Sequence, residues 1–355
     1  MSKSISIIIP TFNERDNITP LVKRIDRALS DYEIVFVDDD SSDGTAELAM
    51  GLSPTYPVTV IVRKGKKGLA SAVVDGLEHV EGEIIGVMDA DLQHPPEVLP
   101  ELLGEIKGGA DIAIASRYVS DGGCRDWGLG RRIVSRGATL LAHLLLPSTR
   151  QVKDPMSGFF MFRRRIISTR LKPVGYKILL EILVEGQFQK AAEVPYTFET
   201  RSGGQSKLNA RQQVEYLRHI YSLMRRKGEV RRFVKFCAVG LTGVGVNLGL
   251  YWILNRQFGV YNQFAYAISV EASIISNFAL NDFWTFADHR IGQGQSFLRR
   301  LGKFNLVSLG GWALNQGIFT LFNRALGLYD LLAGIIGIAV AILWNYILNR
   351  LWTWR

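Results

Sequence analysis

Hydrophobic positions change their rhythm about two thirds of the way along the chain. Up to about Lys227 they come in short runs separated by charged and glycine-rich turns. After Arg232 they merge into four long stretches, Phe233–Leu254, Tyr261–Leu280, Phe304–Phe322 and Leu331–Leu348. Each approaches the ~20 residues that an apolar helix needs to cross a bilayer, so this region predicts an all-α, four-helix transmembrane domain. The first region alternates strand-like runs, Ile5–Ile9, Glu33–Val37, Val58–Arg63, Glu83–Met88 and Ile112–Ala115, with helical stretches such as Gly68–Glu78. That order predicts an α/β domain whose mostly parallel sheet is covered on both faces.

The membrane region repeats itself at the offset that carries Lys235 onto Lys303. Gly243 then falls on Gly311, Asn247 on Asn315 and Asn255-Arg256 on Asn323-Arg324. Asn277 to Asn281 falls on Asn345 to Asn349, and Trp284-Thr285 on Trp352-Thr353. Two tandem helical hairpins follow, and copies with an even number of spans enter the membrane in the same direction. Asparagines are costly against lipid, so Asn247, Asn277, Asn315 and Asn345 are expected to face neighbouring helices. Trp284, Trp352 and Trp354, beside arginines, are expected in the interfacial belt. The expected domains are 1–207 catalytic, 208–230 an interface helix and 231–355 transmembrane.

Charge orients this arrangement. Arg225, Arg226, Lys227, Arg231 and Arg232 precede the first span, and Arg290, Arg299, Arg300 and Lys303 separate the second from the third. The positive-inside rule then puts the first region and both termini in the cytoplasm, and the apolar run Ile5–Ile9 is too short for a cleavable signal. The 355 residues carry a net charge of +9. Its clustering beside the first span favours anionic lipid or a phosphate-bearing substrate over nucleic acid. Only Cys124 and Cys237 are present, one in each region, so no disulfide framework is expected. His143 and His219 lack a second ligand at metal-binding spacing and read as surface or interface residues. Arg131–Leu146 and Leu208–Lys227 combine basic and apolar residues at helical spacing; each suits a helix on the membrane surface or one packed on the catalytic domain.

Ligands of parallel sheets collect at the carboxyl ends of strands. Pro10–Glu14, Asp38–Asp40 and Asp89–Gln93 all fall there. Carboxylates in that position would repel a nucleotide diphosphate unless they bind hydroxyls or carry a cation. Asp89-Ala90-Asp91, with Gln93 close behind, offers the hard oxygen ligands that Mg²⁺ or Mn²⁺ prefers.

These segments also carry a resemblance. Ile7 to Glu14, Val37-Asp38-Asp39, Asp89 to Pro95 and Ser116-Arg117-Tyr118 are similar to family 2 glycosyltransferases of the GT-A fold. Trp127, Arg131, Ser135 to Ala138, Asp154 to Phe160, Lys177 to Glu181 and the Arg201, Gly204, Ser206, Lys207 pattern narrow this to dolichol-phosphate (polyprenol-phosphate) mannose synthases. The last third resembles the GtrA-like membrane domain fused to some of them.

The resemblance implies transfer of mannose from GDP-mannose to dolichyl or polyprenyl phosphate. Pro10, Phe12, Glu14, Val37 and Asp39 would hold the nucleoside, with Asp89, Ala90 and Asp91 continuing the cleft. Asp91 and Gln93 would contact the metal, while Lys177, Arg201 and Lys207 would reach the diphosphate or the sugar. Phe12 replaces a tyrosine common in the family, which keeps stacking on a base and removes a hydroxyl contact. Arg117 and Arg131, with Ser135, would receive the acceptor phosphate, because guanidinium binds phosphate oxygens bidentately. A lipid phosphate is already ionised near neutral pH, so no catalytic base is required, and one in-line attack gives inversion. UDP-glucose as donor, or a role in moving the lipid-linked sugar across the membrane, are the alternatives. The Gln-x-x-Arg-Trp pattern of processive polysaccharide synthases does not occur.

Overall fold

The computed structural model describes residues 4–65, 68–125, 127–168, 171–198, 210–290 and 296–355. Contacts divide the chain into two units, Met1–Met224 and Arg225–Arg355.

The first unit holds strands β1 (Ile5–Thr11), β2 (Tyr32–Asp38), β3 (Val58–Val62), β4 (Ile84–Val87), β5 (Ile112–Ser116), β6 (Gly123–Cys124), β7 (Phe160–Arg163), β8 (Ala191–Pro195) and β9 (Thr197–Phe198). Its helices are α1 (Arg15–Ala28), α2 (Thr45–Gly51), α3 (Leu69–Leu77), α4 (Leu99–Lys107), α5 (Leu129–Leu145), α6 (Ile178–Glu185) and α7 (Ala210–Arg226). The main sheet runs β3-β2-β1-β4-β7-β5-β8. Every neighbour pair is parallel except those of β7, which is antiparallel to both β4 and β5.

Alternation along β1 explains why both faces are covered. Ile5, Ile7 and Ile9 point to one face and meet Ile18, Leu21 and Ile25 of α1. Ile8 points to the other, with Val35 and Val37 of β2, and meets Val73 of α3. Successive strand side chains alternate in direction, so a run apolar at every position must be buried twice. A third cluster joins Ala142 of α5, Leu180 and Val184 of α6, and Tyr216, Ile220 and Leu223 of α7. Both basic-apolar segments therefore pack on the catalytic unit through one face. Their other faces stay exposed, through Leu129, Ile133 and Leu140 on α5 and Val214, Leu217 and Tyr221 on α7. His219 is wholly buried, with Nε2 2.8 Å from Glu181 Oε2.

The second unit holds α8 (Glu229–Trp252), α9 (Asn262–Leu280), α10 (Ala287–Arg290), α11 (Phe297–Thr320) and α12 (Asp330–Leu348). Each long helix runs into a five-residue π turn: Ile253–Gln257, Asn281–Thr285, Leu321–Ala325 and Asn349–Thr353. Glu229–Gln257 and Asp330–Thr353 are long and apolar enough to cross a membrane. In the other two, Glu271 and a series of polar residues interrupt α9, and Arg299, Arg300 and Lys303 open α11.

The repeat is visible in the contacts. A Cβ on Gly243 would fall inside the amide of Asn277, and one on Gly311 inside that of Asn345. Small residues thus let each hairpin close around an asparagine that faces a neighbouring helix. Lys235 and Lys303 donate to the carbonyls of Trp284 and Trp352 at 3.4 and 3.0 Å. Trp354 departs from the belt expected for it. It is fully buried, stacks on Phe286 at 4.3 Å and donates Nε1–H to Asp282 at 2.8 Å. A ring that can satisfy its N–H inside a core has no need of the interface.

Candidate active site

The carboxyl ends of β1, β2 and β4 carry three loops, and each contains a non-glycine residue at positive φ: Asn13 (57°), Asp40 (61°) and Leu92 (60°). Such conformations persist only where surrounding bonds hold them. Asp38 supplies some of those bonds, accepting from Thr11 Oγ1 (2.9 Å), Ser41 N (2.8 Å) and Ser41 Oγ (2.6 Å). Asp39 accepts from Arg63 Nε at 2.8 Å and from Gly68 N at 2.7 Å.

Between these loops lies a cavity of about 170 Å³ bordered by Pro10, Phe12, Glu14, Asp39, Ala90 and Asp91. Phe12, at the border of this cavity, is 48% exposed. A second cavity of about 230 Å³ is bordered by Arg117, Arg131, Ser135, Lys177 and Tyr216. Asp89 and Leu69 line both, so an acidic, aromatic chamber meets a cationic one at Asp89.

His94 holds that junction. Its Nδ1 accepts the Asp89 N–H at 3.1 Å, and its ring stacks on Phe159. Burial pushes its pKa down to about 4, so it is neutral at physiological pH and carries its proton on Nε2. Asp91 is buried and accepts the Gln93 N–H at 3.2 Å.

In the cationic chamber, Arg117 is buried against Asp154. Nε and Nη2 donate to the two carboxylate oxygens at 2.7 and 2.8 Å, and the Arg117 N–H adds a third bond at 3.1 Å. Burial alone would lower its pKa; Asp154 more than reverses this, and the guanidinium stays charged. The Nε–Nη2 edge is therefore taken by Asp154, which leaves the outer Nη1–Nη2 edge for a ligand. The guanidinium of Arg131 lies over the Trp127 ring at 4.2 Å. Ser135 Oγ is 2.7 Å from Tyr118 Oη. Lys177 donates to Met156 O at 3.0 Å. Burial first, and then the charge of Arg117, pushes its pKa down to about 8.

The expected residues are thus gathered unevenly. Val37 turns into the core beneath α3, so only its main chain is near the loops. Gln93 is buried and lines neither cavity. Arg201 and Lys207 lie outside the described residues. Sequence alone points to no role for Asp154, His94 or Tyr216. Asp154 and His94 sat inside recognised motifs, whereas nothing local in α7 announces that Tyr216 reaches this cavity.

For a divalent ion, no cluster of three His, Cys, Asp or Glu side chains forms among the described residues. Asp89 and Asp91 nevertheless border one cavity. One or two carboxylates completed by substrate phosphates is a usual environment for Mg²⁺, and the donor set fits it.

Residues 6–171 match the Glycosyl transferase family 2 profile, and residues 235–354 match the GtrA/DPMS transmembrane domain. A dolichol-phosphate mannosyltransferase of Pyrococcus furiosus is 47% identical, covering 99% of each chain. One of Mycosarcoma maydis is 40% identical over 62% of this chain and 79% of its own. Among solved structures, glucosyl-3-phosphoglycerate synthase from Mycobacterium tuberculosis, in complex with Mn²⁺, UDP and glucosyl-3-phosphoglycerate, aligns with 20% identity and a TM-score of 0.49, covering 64% of this chain and 80% of that one. The family 2 match and the doubly covered, mainly parallel sheet define a GT-A glycosyltransferase unit. The chain belongs to the dolichol-phosphate mannosyltransferase family, with a GT-A glycosyltransferase unit and a GtrA/DPMS transmembrane domain in one polypeptide.

Proposed function

We propose that the protein transfers mannose from GDP-mannose to dolichyl or another polyprenyl phosphate, with inversion and with a divalent metal. The observation that carries this reading is the meeting of the two chambers at Asp89, one fit for a nucleoside and the other for anionic oxygen. The name of the 47% identical Pyrococcus relative supports the sugar and the acceptor.

Pro10, Phe12, Glu14 and Asp39 hold the nucleoside, with the ring of Phe12 against the base. Asp91, with Asp89 beside it and Gln93 behind, would hold Mg²⁺ or Mn²⁺, which would neutralise charge on the leaving diphosphate. Lys177 faces the diphosphate from the other chamber. Arg117 Nη1, Arg131 and Ser135 orient the acceptor phosphate. Its oxygen forms the new bond to the anomeric carbon as the bond from that carbon to the GDP oxygen breaks. GDP departs with the electron pair, and no proton moves. What the protein contributes is alignment and relief of repulsion between two anions.

The catalytic unit and both termini are assigned to the cytoplasmic side, with four spans behind them. Protein supplied with GDP-mannose, Mn²⁺ and a polyprenyl phosphate should yield an organic-extractable mannolipid. Turnover with UDP-glucose but none with GDP-mannose would reject the mannose assignment.

A further inference from the structure

Helix α5 presents three faces with different occupations. Val134, Ser135 and Ala138 border the cationic cavity, and Ala142 and Leu145 pack in the core with α6 and α7. The third face carries Arg136, Thr139, Leu140 and His143. It lines a separate open groove of about 560 Å³ together with Lys153 and the stretch after Arg117. The proposed transfer uses none of these residues of the third face and shares only Arg117 with the groove.

The groove is chemically one-sided. No carboxylate lines it. Arg136 and Lys153 are exposed, and no described residue accepts a hydrogen bond from either side chain. Arg117 forms the wall towards the catalytic chamber, with its charge held by Asp154. His143 adds no third charge: its Nε2 lies 3.0 Å from the carbonyl oxygen of Val152, to which it must donate, and burial lowers its pKa.

Thr139 supplies the independent pointer to a ligand. It is only 9% exposed, yet its Oγ1 has no hydrogen-bond partner. A helical threonine ordinarily returns its hydroxyl to a carbonyl one turn back, and a buried hydroxyl without a partner is destabilising. A hydroxyl donor flanked by two uncommitted cations is a donor set for phosphate oxygens.

The surroundings favour one source of that phosphate. Along the outer edge of α5, next to the groove, Leu129, Ile133 and Leu140 are 75%, 62% and 59% exposed. A basic strip beside an apolar one is the pattern of a helix that lies in the head-group region of a bilayer, and a soluble ion would make no use of the apolar strip. We propose that this groove binds the phosphodiester head group of an anionic membrane lipid, at a site separate from the acceptor's, with the lipid chains along Leu129, Ile133 and Leu140.

The test uses the full chain in detergent micelles, with short-chain phosphatidylglycerol as the probe and phosphatidylcholine of equal chain length as its control. Saturable binding of phosphatidylglycerol over phosphatidylcholine is expected. Arg136→Gln with Lys153→Gln should weaken it roughly thirtyfold, at about 1 kcal/mol for each basic residue. Thr139→Val should weaken it as well, and Arg136→Lys with Lys153→Arg should restore it. Binding of the donor nucleotide, unchanged in all of these variants, shows that the catalytic unit is folded. Equal binding of the two lipids, or an undiminished double glutamine variant, would overturn the site. Displacement of the lipid by inorganic phosphate at equal concentration would overturn the lipid assignment in favour of a soluble anion.

Discussion

Lys177 gives the proposed chemistry a pH signature. Its ammonium is partly buried beside Arg117 and near Arg131, and its pKa falls to about 8 from the ordinary 10.5 of a lysine. A folded-state pKa below the unfolded value means that the unfolded chain binds more protons between those two values. Stability should therefore rise with pH through that window, by about 3 kcal/mol at most before allowance for partial exposure. On the proposed reading, a diphosphate bound against Lys177 favours its charged form. Donor binding should then take up a proton. In the free protein Lys177 is mostly charged at pH 7 and roughly nine-tenths neutral at pH 9, so donor affinity should be nearly flat below about pH 7, about twofold weaker at pH 8 and about tenfold weaker at pH 9.

Calorimetric titration of GDP into the full chain, in two buffers of different ionisation enthalpy, reads both quantities. Near pH 8.5 about three quarters of a proton should be taken up per nucleotide bound. Lys177→Arg stays charged throughout and should remove both the uptake and the slope. Subtracting its profile also removes any titration of the base. Equal profiles for wild type and Lys177→Arg would refute the placement of Lys177 against the diphosphate.

Three further outcomes follow from the packing. Asp154→Asn turns an amide N–H₂ towards the buried Arg117 guanidinium; breaking such a pair costs about 3 to 5 kcal/mol. Thermal unfolding of the catalytic unit should come earlier, and KM for the lipid acceptor should rise more than KM for the donor. Gly243→Val or Gly311→Val places a side chain where an asparagine amide now sits; each should sharply reduce accumulation of folded protein in membranes, while Gly245→Ala, with open space around it, should not. Arg350→Asp sets a second carboxylate against Glu229, and adding Glu229→Gln should recover the accumulation that the single variant loses, measured by detergent-resistant size-exclusion profile.

Much of the first unit is legible in the chain because its central strands are apolar at consecutive positions and end in acidic loops. Ile7 and Ile8 must be buried on opposite faces, which already demands helices on both sides. The antiparallel insertion of β7 between β4 and β5 was not legible, since the four-residue run Phe160–Arg163 carries no period that encodes direction. The chamber around Lys177 was equally hidden. Asp154 lies 37 positions from Arg117, and Tyr216, which lines the same cavity, comes from a helix whose own pattern speaks only of amphipathicity. Trp354 shows the opposite failure. A tryptophan next to arginine at the end of a span fits the interfacial belt, and only the arrival of Asp282 from the other hairpin makes burial possible.

That arrival also explains how a duplicated hairpin became a domain with a fixed order. Asp282 and Arg350 occupy corresponding places in the two copies, as do Arg232 and Arg300. At one junction Asp282 receives Arg300 Nε at 2.9 Å and Trp354 Nε1 at 2.8 Å. Strict symmetry would put an acid at 350 to receive Arg232. Arginine stands there instead, and Glu229, whose counterpart in the second copy is Phe297, bridges Arg232 at 2.5 Å and Arg350 at 2.9 Å. Two second hairpins brought together would set Arg350 against Arg300 with no acid between them. The second hairpin can close only on the first, through Glu229. Buried charge of this kind adds little to stability but discriminates between partners. Reversing one sign and adding one carboxylate converts an interchangeable pair of hairpins into a directional one.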